Sequence, residues 1–136
     1  MSIKFKPIAK GQPGVVGGGD TKFYASIVRT EPVSLETFAH DLADRSTLTQ
    51  ADIHAVLVSF MEKFPEYLMA GRSIYLGKLG SLAPAINSQA ELTADEVDRY
   101  SITRLRVLFR PSNKLKDILS VAKYKKIGTN GADIVN

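Results

Sequence analysis

The sequence has no cysteine, which removes thiolate nucleophiles, cysteine-based zinc and iron-sulfur sites, and disulfides, whatever the compartment. No apolar run approaches the roughly 18 residues of a membrane span. The first seven residues, MSIKFKP, lack the apolar stretch of a signal peptide, so a soluble, cytoplasmic protein is expected. There are only two histidines, His40 and His54. Both fall on expected helix surfaces with no partner at ligand spacing, so no enzyme, metal, cofactor or small-molecule substrate is expected. At 136 residues the chain is too short for two ordinary domains and long enough for one with appendages. Its 44% hydrophobic and 24% charged residues argue against wholesale disorder.

Charge is present but modest in total, at +4, so its distribution matters more than its sum. By segment, residues 1–33 carry +3, 34–70 carry −4, 71–86 carry +2, 87–103 carry −3 and 104–136 carry +6. An acidic middle followed by a basic end suggests one cationic surface for a polyanion; ordinary solvated Lys and Arg is the competing explanation.

Local patterning predicts the elements. Ile3–Lys6 and Phe23–Val28 read as strands around a glycine-rich loop, residues 11–20, which lacks the ending of a P-loop and the spacing of a dinucleotide fingerprint. Ser34 is an N-cap for a helix with Leu35, Phe38, Ala39, Leu42 and Ala43 inward. Thr49 caps a longer helix whose stripe is Ile53, Val56, Leu57, Phe60, Met61 and Phe64. Pro65 is expected to kink or restart that helix, and Gly71 to end it. The stripe is wider than one short helix can cover, and a second copy of the chain could cover the rest.

From Ser73 the period becomes two, and Gly77-Lys78-Leu79-Gly80 predicts a hairpin. Thr93-Ala94-Asp95-Glu96 is a capping box, predicting a helical turn or ordered loop. Ser101–Arg110 alternates again, with Arg104, Arg106 and Arg110 sharing one face with Leu108 and Ile102, and Leu105, Val107 and Phe109 opposite. Phe38, Phe60, Phe64 and Phe109 are expected in the core; Tyr75 and Tyr124 are expected to face neighbouring strands, with ligand stacking the alternative. Asn113–Leu119 reads as a short helix, Lys123–Ile127 as a last strand, and the tail from Gly128 as frayed.

Three stretches carry a family resemblance: Ser46-Thr47-Leu48-Thr49 with the helix after it; Ile74-Tyr75-Leu76-Gly77-Lys78-Leu79-Gly80-Ser81-Leu82; and Phe109-Arg110-Pro111-Ser112-Asn113-Lys114-Leu115-Lys116. They resemble the interhelix turn, Gly-x-Gly-Ser-Phe hairpin and Phe-Lys-Pro segment of the HU and integration host factor (IHF) family of bacterial histone-like DNA-binding proteins. The N-terminal strands, Thr93–Val97 and the Lys-rich C-terminal strand look most like the HU-HIG subgroup. The resemblance implies an α+β, HU/IHF-like fold: a helical pair, an antiparallel β-saddle, a short C-terminal helix and an added N-terminal strand pair, in an intertwined homodimer. It divides the chain into a β extension (1–33), an HU-like domain (34–123, arm region 84–101) and a C-terminal strand and tail (124–136).

The function implied is nucleoid-associated, architectural binding of duplex DNA through phosphates and minor groove, with little sequence specificity. By resemblance, Arg110, Lys116 and the Gly80-Ser81 turn match DNA-facing positions; strand parity adds Arg104 and Arg106. Arg72, Lys78, Asn113 and Lys114 complete the candidate set, Asn113 standing where the family has a lysine beside Lys114. The family's arm-tip Arg-x-Asn-Pro wedge is missing between Ala83 and Ser101, and Glu91, Asp95, Glu96 and Asp98 there would repel phosphates, so weaker DNA binding and less bending than in an arm-bearing relative are expected. Two alternatives stay open: Arg104 and Arg106 could pair with Glu91 or Asp95, masking the face, and the scaffold could serve as a protein-interaction module.

Overall fold

A computed structural model describes residues 1–128, so the tail expected beyond Gly128 lies outside the described residues. These residues form a mixed α+β structure of three helices and two three-stranded sheets. They group into two compact units, one of Met1–Pro32 with the chain from Leu119, the other Val33–Ile118.

The first unit is built on β1 (Ile3–Lys10) and β2 (Lys22–Ile27), antiparallel and in register from Phe5↔Ile27 to Lys10↔Lys22. The connecting loop closes on its own backbone, Gln12 N donating to Gly18 O at 2.6 Å and Gly18 N to Val15 O at 3.0 Å. Gly14, Gly17, Gly18 and Gly19 supply the positive φ that this path requires. A final strand, β6 (Tyr124–Lys126), joins parallel to β1, giving the order β2-β1-β6. Ile127, buried and bonded through its N–H to Phe5 O at 2.9 Å, fastens it.

In the second unit, α1 (Leu35–Ala43) begins where Ser34 Oγ accepts from Thr37 N, and α2 (Gln50–Met69) where Thr49 and Asp52 cap one another. The two helices pack through Ala39 and Ile53, both buried. Gly71, at φ +74°, ends α2, with Gly71 N bonded to Leu68 O and Arg72 N to Tyr67 O, both at 3.0 Å. Helical geometry runs through Pro65, so of the two outcomes expected there, a kink or a restart, the restart does not occur. The proline removes one backbone donor, and the helix continues beyond it through the buried Leu68 to Met69.

After α2 come β3 (Ile74–Tyr75), β4 (Gly80–Ser88), a 3-10 turn at Ala94–Glu96, β5 (Ile102–Pro111) and α3 (Asn113–Ser120). The sheet order is β3-β4-β5, antiparallel throughout. The expected hairpin forms between β3 and β4, with Gly77 at φ +57° in its turn. A register shift beside Asn87 and Ser88 pairs Ile102 with Ser88 instead of continuing the alternation. Ile102 therefore leaves the face that simple parity shares with Arg104 and Arg106.

The expected aromatic core is only partly realised within one chain. Phe64 is half-buried, whereas Phe38, Phe60 and Phe109 remain 48%, 46% and 50% exposed. Phe60 and Phe64 stack with centroids 4.6 Å apart, on a groove completed by Met61, Leu68, Leu82 and Val107. These side chains sit on the apolar stripes that sequence assigned them, and the chain supplies too little to cover them.

Candidate nucleic-acid interface

The β4–β5 register sorts the second sheet into two faces. Leu82, Pro84 and Ile86 lie opposite Phe109, Val107 and Leu105, and Leu82 and Val107 line the groove against α2. On the other face Ser81, Ala83, Ala85 and Asn87 lie opposite Arg110, Leu108, Arg106 and Arg104. Small side chains across from long ones leave the three guanidinium groups standing clear, and all three arginines are exposed. Among the described residues none of these guanidinium groups has a hydrogen-bonding or ion-pair partner. A strip of guanidinium groups with unused donors suits phosphate oxygens, whose geometry matches the guanidinium fork.

Ser112 ties the neighbouring candidates to the end of this strip. Its Oγ accepts from Leu115 N at 3.0 Å, capping α3, and donates to the Lys78 carbonyl, while its N–H reaches Leu79 O at 3.2 Å. The β3–β4 turn with Lys78, the Ser81↔Arg110 pair, and the start of α3 with Asn113, Lys114 and Lys116 thus share one corner. Gly80 allows the close approach: a Cβ there would lie 2.2 Å from Arg110 O, on backbone at φ +143°. Ser112 is absent from the candidates read from sequence, although a serine directly before a helix is itself a capping signal.

Two other candidates fall differently. Arg72 is held over the Tyr67 ring on α2, 5.2 Å from its centroid, and not on β4 or β5. Tyr75 registers with Ser81, which registers with Arg110, and is 85% exposed. It therefore belongs to the arginine face and is not covered by a neighbouring strand.

The acidic arm does not mask the arginines. Glu91 Oε1 accepts from Gln89 Nε2 at 2.9 Å and Ser101 Oγ at 2.8 Å, and these bonds hold its carboxyl below the usual carboxylate range. Glu96 Oε2 accepts from Leu92 N and Thr93 N, and Asp98 Oδ1 from Tyr100 N and Ser101 N. Ser101, 1% exposed, is the hub of this turn. Carboxylates consumed by their own loop have fewer lone pairs to offer the strand beside them. His40 and His54 sit on the helices, His54 Nε2 lying 3.8 Å from Glu36 Oε1.

The family model named HU-HIG, described as an HU domain fused to wHTH, Ig, or glycine-rich motif, matches residues 1–126. Among solved structures, the chain is similar to a protein from Bacteroides vulgatus described as a "putative bacterial DNA binding protein". The TM-score is 0.65 at 13% identity, over 93% of this chain and 49% of that one. The chain thus spans about half the length of that protein, and the likeness at this identity is one of fold. No curated protein matches.

Proposed function

The chain belongs to the HU-HIG family, and from that premise we propose that it is a histone-like architectural protein that binds duplex DNA. The bound surface is the arginine face of β4 and β5, extended by Lys78, Ser81, Lys114 and Lys116, and the active form is a homodimer. The observation that carries this reading is the register that sets Arg104, Arg106 and Arg110 on one face, unpaired, across from Asn87, Ala85 and Ser81. Contacts of this kind go to phosphates and give affinity with little sequence information. The protein acts by binding and has no reaction to catalyse.

A homodimer with an HU-like saddle is supported by the apolar groove of α2 and β4–β5, in which Phe60 and Met61 remain about half exposed. Burying such a surface drives association. The absence of an arm-tip Asn-Pro argues for little bending. Cytoplasmic, nucleoid-associated residence follows from the ligand.

The test is fluorescence anisotropy of a labelled 30-base-pair duplex and an unrelated duplex of equal length, across salt concentrations. Similar binding to both is expected, with a log–log salt slope corresponding to roughly four to eight neutralised phosphates per dimer. Arg104→Glu with Arg106→Glu should remove most of the affinity without unfolding. Absence of binding at low salt by folded protein would sink the proposal and leave the scaffold as a protein-holding module. Sedimentation of the unliganded protein checks the dimer, and a monomer at micromolar concentration would count against it.

A further inference from the structure

The first unit's sheet has a cationic face of its own. In the β1–β2 register, Lys6 lies opposite Ser26, Ile8 opposite Tyr24, and Lys10 opposite Lys22; the β1–β6 register sets Lys4 beside Lys125. Strand alternation therefore gathers Lys4, Lys6, Lys10, Lys22 and Lys125 on one face, while Ile3, Phe5, Ala25, Ile27 and Tyr124 line an apolar groove on the other. No strand of this sheet contains a carboxylate. Lys6, Lys10 and Lys22 are exposed, and Lys10 Nζ lies 5.7 Å above the Tyr24 ring.

This arrangement opposes the sheet's own stability. Like charges directly across a strand pair are destabilising, and Lys10↔Lys22 places such a pair in a small sheet. The chain's positive charge is concentrated here too. Residues 1–32 and 119–136 hold eight Lys and Arg against Asp20, Glu31 and Asp133, whereas residues 33–118 hold ten against eleven acids.

We propose that the lysine face of β1, β2 and β6 is a second DNA-binding surface, engaging the phosphate backbone independently of the arginine face. Alternate residues on a strand repeat at about 6.6–6.8 Å, close to two base-pair rises along the axis of duplex DNA at about 3.4 Å each. Lysine suits the task because its ammonium binds phosphate as a point charge, with no demand on base identity. An anionic membrane is the poorer fit, because the apolar side chains that would insert lie on the opposite face.

The test uses the full chain and the labelled duplex across a salt series, comparing wild type with Lys6→Glu/Lys10→Glu/Lys22→Glu, the corresponding triple Lys→Gln and Lys→Arg variants, and Arg104→Glu/Arg106→Glu. Circular dichroism checks folding, and the Gln triple decides the matter if the Glu triple does not fold. The Gln and Glu triples should weaken binding at least tenfold and flatten the log–log slope without abolishing it, with the Arg triple close to wild type. If the neutralised triple binds like wild type while the arginine variant loses affinity, this inference fails and the arginine-face reading stands; the opposite pattern sinks that reading and keeps this one. Wild-type protein that ignores DNA overturns both. Neutralisation that abolishes sedimentation with phosphatidylserine vesicles but leaves DNA affinity intact overturns the inference in favour of a lipid surface.

Discussion

The two sheets become cationic in different ways. In β3-β4-β5 the cations are few and are made into a surface by register: Arg104, Arg106 and Arg110 form a strip inside a unit whose acids outnumber its bases. In β2-β1-β6 the cations are numerous and unbalanced, and Lys10 sits directly across from Lys22. The first case shows that a unit near neutrality can still present a concentrated cationic face, because alternation separates side chains that composition averages together. The second is cationic already in its composition, with eight Lys and Arg against three acids in its unit, so net charge alone would have singled out this sheet and passed over the first.

The sharpest way to break the comparison is at its glycines. Gly80→Ala forces a Cβ to 2.2 Å from Arg110 O on backbone that L residues rarely adopt. It should destabilise the second unit by on the order of 3 kcal/mol in urea unfolding. Gly14→Ala in the loop of the first unit meets nothing within 4 Å. Its cost should be only that of positive φ, about 1 kcal/mol, and equal losses for the two variants would contradict the tight packing assigned to the β4–β5 corner.

Next in size is Ser112→Ala, which deletes both the cap of α3 and the bond to the Lys78 carbonyl. A loss of about 1–2 kcal/mol is expected. Hydrogen exchange should quicken at Leu115, whose amide donates to Ser112 Oγ, while β1–β2 amides stay protected. Thr49→Ala, removing the cap of α2, should cost about 1 kcal/mol, read as a lowered urea midpoint with unchanged slope.

The smallest effect is on pH. Hydrogen bonds from Thr49 hold Asp52 below its ordinary pKa, and those from Gln89 and Ser101 do so for Glu91. Groups depressed in the folded state stabilise it above the ordinary carboxylate range and lose that contribution as pH falls through it. Exchange protection at Ser101 and in the first turn of α2, compared at pH 6 and pH 3 after correction for intrinsic rates, should fall in acid. Protection in β1, β2 and β6, whose strands contain no carboxylate, should change less. Equal acid sensitivity in both sheets would remove the assigned cause.

Legibility in the sequence followed the range of the interaction. Caps at Ser34 and Thr49, the stop at Gly71 and the turn capped by Glu96 were readable because each is made by residues three or four apart. The arginine strip was readable because parity is local, and Ile102 escaped it because a bulge depends on the partner strand. At Pro65 the restart does not occur because one missing donor does not by itself end a helix whose other bonds continue. The phenylalanines were correctly placed on apolar stripes but wrongly expected inside, since periodicity names the face to be buried and not the surface that buries it.

By itself, then, the sequence determined which segments are helix and which are strand, the caps and stop of the first two helices, and the arginine face, all of which are written in spacing along the chain. The tertiary structure decided where the basic C-terminal segment goes. Lys123, Lys125 and Lys126 follow the arginine strand in sequence and look like more of the same cationic surface, yet β6 pairs with β1 and carries them into the other unit. A strand's local pattern specifies that it will pair and which side chains share a face. Its choice of edge is settled by contacts more than a hundred residues away in the chain, which no local periodicity records.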